Sequence, residues 1–149
     1  MSLQKIDSHI IHTLQKMFLP SARISLAVIF IWFGLLKVLG HSPASGLVQN
    51  LFDVSVPFFS FDIFYVAFAW FEILIGLLFL FPRFTRFVIP LLLIHMVTTF
   101  LPLFLLPDET WNGFMVLTLA GQYIVKNLVI VALALGVAAT LEPLQKKIE

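Results

Sequence analysis

Four times along this chain the polar positions give way to apolar runs long enough to cross a bilayer, at residues 22–39, 64–81, 87–106 and 120–141. About 20 apolar residues rising ~1.5 Å each match a ~30 Å hydrocarbon layer, so each run predicts a transmembrane helix. Helix-stopping residues stand between them: Pro20 ahead of the first run, HSP at 41–43, Pro82, and the stretch LLPDETWNG. Pro90 and Pro102 fall inside the third run and predict a bend there, with the freed backbone groups finding partners elsewhere.

Two shorter segments follow a different pattern. Leu3, Ile6, Ile10, Leu14 and Met17 recur on one helical stripe, with Lys5, His9, His12 and Lys16 off it. That predicts an amphipathic helix lying on the cytoplasmic membrane surface and ending at Pro20, an anchor rather than a fifth span. After the first span, Ser42 is placed to cap and Pro43 to occupy the first position of a helix in which Ala44, Leu47, Val48, Leu51 and Phe52 share a face. This segment is expected to form a short outer lid.

Composition agrees with the pattern. The chain has 149 residues, of which 60% are hydrophobic and 11% charged, and its mean hydropathy is +1.04; soluble domains carry about a quarter charged residues. The expected fold class is therefore all-α: an integral membrane four-helix bundle with an interfacial N-terminal helix and a lid. Its parts are an interfacial segment over 1–21, the four-helix domain over 22–141, and a cytoplasmic tail over 142–149. A removable signal peptide over 1–40 is not expected, because the leading segment is long and helix-patterned and Lys37 closes the apolar run.

Charge adds orientation. Lys5, Lys16, Arg23, Arg83, Arg86, Lys146 and Lys147 share one side, whereas the two opposite loops hold only Asp53, Asp62, Asp108 and Glu109. By the positive-inside rule both termini face the cytoplasm. With no cysteine, disulfides, thiolate metal sites, iron–sulfur clusters and CxxC redox chemistry are excluded for this chain alone. No nucleotide-binding, zinc-hydrolase or nucleophile-elbow pattern is present, and no basic patch suits nucleic acid.

The candidate chemistry centres on FEILIGLLFLF, where Glu72 interrupts an apolar run. At ~1.5 Å per residue it lies ~12 Å deep. A mid-membrane acid costs about 2.5–3.5 kcal/mol on insertion scales, so it should face the bundle interior and be protonated, paired or wetted. It serves either helix packing or a ligand or proton site. Lys37 and Lys126 are the basic residues within reach; Lys37 alternatively snorkels outward, while Gln122 and Asn127 mark the Lys126 helix end as polar and inward-facing. His95 matches Glu72 in depth and is either a proton partner or a satisfied core residue, with Thr99 a turn further on. Trp32, Phe33, Trp70 and Phe71 are candidate walls for a flat apolar ligand, though aromatics also fill lipid-facing space; Trp111 reads as an interfacial anchor. Gly34 and Gly76 allow close helix approach, and Ala132, Gly136 and Ala139 form a face suited to a homodimer. His9, His12 and His41 fall on surfaces and do not make a metal site.

The stretches IFIWFGLLKVLGHSPASGLVQNLF, FEILIGLLFLFPRFTRF, LPLFLLPDETW and TLAGQYIVKNLVIVALAL resemble the DoxX family and its RclC-like relatives, small four-helix membrane proteins of bacteria, over about 23–141. The most telling pieces are GLLK, EILIG and GQYIVKNLV. The resemblance implies the bacterial cytoplasmic membrane and an association with quinone-linked sulfur oxidation, oxidative-stress resistance and, in animal relatives, assembly of other membrane proteins. Lys37, Glu72, Gln122 and Lys126 match polar positions of the family; its cysteine-pair thiol chemistry has no counterpart here.

The expectation is a binding or accessory subunit of a membrane redox or stress system, with no covalent cofactor. It would hold a quinone-like or other amphiphilic ligand at Lys37, Glu72, Gln122, Lys126 and His95. The alternative is an assembly or interaction protein whose polar cluster is structural. Partners are the lipid membrane, an amphiphilic small molecule, and a membrane protein or second copy. A third reading, a proton-coupled carrier, lacks the internal repeat such folds show.

Overall fold

A computed structural model describes residues 3–56 and 58–143. Lys146 and Lys147, part of the charge pattern, lie outside the described residues. Helix α1 spans Leu3–Val38, α2 Ser45–Ser55, α3 Phe61–Phe79, α4 Thr85–Phe100, α5 Pro102–Leu105, α6 Pro107–Thr110 and α7 Leu119–Ala138; a 3-10 turn, Pro82–Phe84, precedes α4. Among the described residues four helical stretches are long and apolar enough to cross a membrane: Leu3–Val38, Phe61–Phe79, Pro82–Leu105 and Leu119–Ala138. The all-α membrane bundle expected from the sequence is therefore present.

Pro20 does not end a helix. It sits inside α1, which continues for 36 residues, ~54 Å at 1.5 Å per residue. An interior proline removes one ladder bond, here the one to the Lys16 carbonyl, and the helix formers on either side carry the rod across it. The N-terminal segment and the first span are one rod, not two helices. At its far end α1 stops on Gly40, whose φ of +72° suits a residue without Cβ. The His41 N–H donates to the Leu36 carbonyl at 2.8 Å and the Gly40 N–H to the Lys37 carbonyl at 3.1 Å, the paired bonds of a Schellman ending. Lys37 is thereby fixed in the last turn.

The lid helix begins later than Ser42 and Pro43 predict, at Ser45. Ser42 Oγ instead accepts from the Ala44 N–H at 3.3 Å, in the turn before it. Phe52 is the buried residue of α2, and the Asn50 amide donates to Glu109 Oε1 at 2.8 Å, tying the lid to α6.

Helices α1 and α3 pack closest. A Cβ on Gly34 would come within 2.9 Å of the Ala69 carbonyl oxygen, and one on Gly76 within 2.9 Å of that of Ala27. The reciprocal contacts, small residue on small residue seven positions apart on each helix, set the two antiparallel and almost backbone to backbone. The third span is interrupted at Leu101, where Pro102 separates α4 from α5; the Thr98 carbonyl, which Pro102 cannot serve, accepts from the Leu101 N–H at 3.3 Å. Beyond α5, a two-stranded hairpin, Trp111–Gly113 with Val116–Leu117, leads into α7. Its first turn is capped by Thr118 Oγ1, which accepts from the Gly121 N–H at 3.1 Å.

Leu26, Ile75, Phe79, Val88, Leu92, Ala134 and Val137 are fully buried between the helices. Large apolar side chains such as Phe87 and Val129 point outward on every span, the surface a lipid-embedded bundle presents.

Candidate functional site

The buried face of α1 runs through Arg23, Ala27, Phe30, Gly34 and Lys37, spaced by fours and threes as one helical stripe. Polar residues occupy both ends of that stripe. The matching faces of α3 and α4 carry Glu72 and Phe79, and Thr85 and His95, at the two levels. Stacking the three helices yields two polar layers with an apolar layer of Leu26, Phe30, Ile75, Val88 and Leu92 between them.

The first polar layer is the sequence-predicted one. Lys37 Nζ lies 2.6 Å from Glu72 Oε2, and His95 Nε2 lies 3.3 Å from Glu72 Oε1. Lys37 is 7%, Glu72 5% and His95 4% exposed, so Lys37 turns inward and does not snorkel. Glu72 stands ~16 Å from the start of α3 and ~10 Å from its end. In so dry a setting a lone carboxylate is costly, and pairing both oxygens offsets that cost. His95 is held from behind: its carbonyl accepts from the Thr98 and Thr99 hydroxyls at 2.7 and 3.0 Å. Its Nδ1 is buried with no hydrogen-bond partner, a free valence facing a low-dielectric interior.

Five of the nine expected site residues lie away from the triad: Gln122 and Lys126 of the five polar ones, and Trp32, Phe33 and Trp70 of the four aromatics. Gln122 and Lys126 do not join the cluster. Gly121 must face the Thr110 carbonyl, where any Cβ would collide; that fixes the rotation of α7 and turns Gln122 and Lys126 outward. The Lys126 ammonium instead sits 4.9 Å above the Tyr123 ring centroid, and the Gln122 amide reaches the Leu117 carbonyl at 3.5 Å.

The aromatic walls also move. Trp32, Phe33 and Trp70 are 63%, 47% and 56% exposed and face away from the acid; Trp32 helps line a surface groove with Ile24, Ala27, Val28, Ile31 and Leu80. Phe71 alone of the four approaches, 6.0 Å from the His95 ring. The rings around His95 are Phe68 at 5.1 Å and Phe30 at 5.5 Å. Phe68 continues outward through Phe64 at 5.6 Å to Phe52 of the lid at 4.9 Å. An aromatic row thus runs from the lid to the triad. Lys37 Nζ lies 5.6 Å from the Phe68 centroid, within cation–π range.

The second polar layer was not anticipated. Arg23 donates through Nη2 to Thr85 Oγ1 at 2.6 Å and through Nη1 to the Phe79 carbonyl at 3.3 Å, while Thr85 donates to the Pro82 carbonyl at 2.6 Å. Helix α3 has no basic residue in its own last turn; a guanidinium from α1 supplies the cation that the carbonyl end of a helix favours. Its signal lay in the sequence, since Arg23 shares the stripe of Lys37. Trp111 is likewise no free interfacial anchor: its Nε1 donates to the Leu103 carbonyl at 2.9 Å, a group Pro107 cannot serve for lack of an N–H. Gly136 packs on Phe18 of the same chain, leaving Ala132 and Ala139 as the exposed members of the small-residue face.

His9, His12 and His41 are exposed, and among the described residues no group of histidines and acids is arranged to hold a metal.

No curated protein and no solved structure matches the chain. The DoxX family model matches residues 10–105, a span that takes in both polar layers and every member of the Lys37, Glu72 and His95 triad. This membrane-spanning chain belongs to the DoxX family.

Proposed function

We propose that this DoxX-family membrane protein is a binding and accessory component of a membrane redox or oxidative-stress system, which receives the polar head of a quinone-like or other flat amphiphile at Lys37, Glu72 and His95. The observation that carries the reading is the triad itself. Three ionisable groups from three helices converge in the apolar interior, one with an unpartnered nitrogen, beside a row of aromatic rings leading to the lid. A buried ion pair contributes little net stability compared with apolar packing of the same volume, so its presence at this depth points to a ligand.

In that reading a ligand carbonyl takes the Lys37 ammonium as donor, Glu72 orients the lysine and exchanges a proton, and Phe68 and Phe30 flank the ring. Lys37 can change partners because its four-carbon stem is flexible. The chain is given no reaction of its own. Its place is the bacterial inner membrane with both termini in the cytoplasm, as the basic residues at the Arg23 end support. Single cysteines introduced at Ser8 and at Phe58 should then be labelled from opposite sides by an impermeant maleimide.

A second reading is favoured by the closure of the pair. With a 2.6 Å bond at its centre and surface grooves at Trp32 and at Asp62 lying elsewhere, the triad also serves an assembly or interaction protein as a device that fixes helix register. Native mass spectrometry of wild type and Glu72→Gln in mild detergent separates the two, with thermal stability measured on the same samples. Ligand lost while stability is kept supports the binding site. No ligand in either sample, with stability lost in the variant, overturns it in favour of the structural reading.

A further inference from the structure

Residues 3–18 of α1 are exposed throughout. The bundle begins at Phe18, which packs on Gly136, and continues through Leu19, Ala22 and Arg23, so ~23 Å of helix extends beyond it. On a helical projection Leu3, Ile6, Ile10, Ile11, Leu14, Met17 and Phe18 fall within an arc of about 140° that Asp7 interrupts. Lys5, His9, His12 and Lys16 stand opposite its centre, and Asp7, the arm's one acid among the described residues, stands toward the Ile11 side of the apolar arc.

We propose that this arm docks on an anionic phospholipid surface, its apolar face entering the headgroup boundary and its lysines toward the phosphates. Three observations choose this occupant. The rod emerges from the bilayer that α1 crosses, so a lipid surface lies beside the arm at its root. Positive charge dominates here, since Arg83 and Arg86 flank the same end as Arg23. The apolar arc is also too broad for a two-helix seam: Ile11 and Phe18 lie beside the narrow line of Leu3, Ile10 and Met17, and Thr13 stands where that seam would need an apolar residue.

Lying on the surface requires the arm to turn. Pro20 is placed for it, as the ladder bond to the Lys16 carbonyl is already missing there. Exposed lysines attract an anionic lipid surface within a Debye length, and the apolar face adds area-dependent binding.

The absence of cysteine makes the test direct. Full-length Leu14→Cys and Ser8→Cys proteins carry one fluorophore each and are reconstituted in vesicles of phosphatidylcholine, with or without phosphatidylglycerol. Adding phosphatidylglycerol should lower aqueous iodide quenching at Leu14→Cys several-fold and raise its quenching by doxyl lipids, while Ser8→Cys stays accessible. Lys5→Gln with Lys16→Gln should return the Leu14 site to its phosphatidylcholine value. Equal aqueous quenching at both sites in both lipids overturns the proposal. So does protection at Leu14 that ignores lipid charge and grows with the protein-to-lipid ratio, which would seat a second copy there.

Discussion

Lys37, Glu72 and His95 form an electrostatic unit in which no member is replaceable alone. Removing the ammonium leaves a carboxylate buried beside a histidine, and breaking a buried pair from one side costs about 3–5 kcal/mol. Lys37→Met should therefore lower the unfolding midpoint in detergent markedly, whereas Lys37→Met combined with Glu72→Met should recover most of the loss; a double-mutant cycle reads the coupling. The inward-facing acid was legible, with Lys37 and His95 among its candidate partners, because an ionisable residue in an apolar run has few solutions. Which lysine answers it was not, since Lys37 and Lys126 are similar in depth and only the rotation of α7, set by Gly121 against Thr110, excludes the second. The aromatic walls were misassigned for a related reason: adjacency to the acid singled out Trp70, but helical periodicity places Phe64, Phe68 and Phe71 toward the site and Trp70 toward lipid. Arg23 offers a second residue-level check. Its fork serves a hydroxyl and a carbonyl at once, a geometry an ammonium does not reproduce, so Arg23→Lys should cost stability that charge conservation does not restore, seen as a lower midpoint on thermal unfolding.

At the scale of elements, the α1 and α3 pair is the framework on which both polar layers hang. Each ångström of added separation would move Lys37 away from Glu72 and Arg23 away from the end of α3 together. Gly34→Val and Gly76→Val place branched side chains against the Ala69 and Ala27 carbonyls, where overpacking typically costs about 1–3 kcal/mol. Each should also weaken the ion pair at a distance, so Gly34→Val and Lys37→Met should be less than additive in thermal unfolding. The four spans were legible as long, predominantly apolar runs, and Gly34 and Gly76 as points of close approach. The continuity of α1 was not: a proline in a sequence marks a lost bond, and whether the helix stops or passes through depends on the residues around it. The lid shows the same limit, with Ser42 closing a turn rather than opening the helix.

Across the whole molecule the ties are uneven. Helices α1, α3 and α4 share buried polar contacts at two levels, whereas α7 is held by apolar packing on α4 and α1 and by one close joint at its outer end, Gly121 against Thr110. Thr110 is fully buried, and its hydroxyl donates to the Leu106 carbonyl at 2.9 Å; Thr118 donates to the Glu109 carbonyl at 2.7 Å, so loop and helix start form one rigid corner. A methyl at position 121 has nowhere to go, because its neighbour is backbone rather than a side chain that can swing aside. Gly121→Ala should therefore shift the start of α7 outward while leaving Lys37 and Glu72 in contact, and stability should fall by an overpacking cost of about 1–3 kcal/mol. Hydrogen exchange resolves this by region: protection should drop over residues 119–130 and remain over α1 and α3. A uniform loss across all four spans would mean instead that α7 is as integral to the bundle as the helices that share the polar layers, and that cooperativity extends through apolar contact alone.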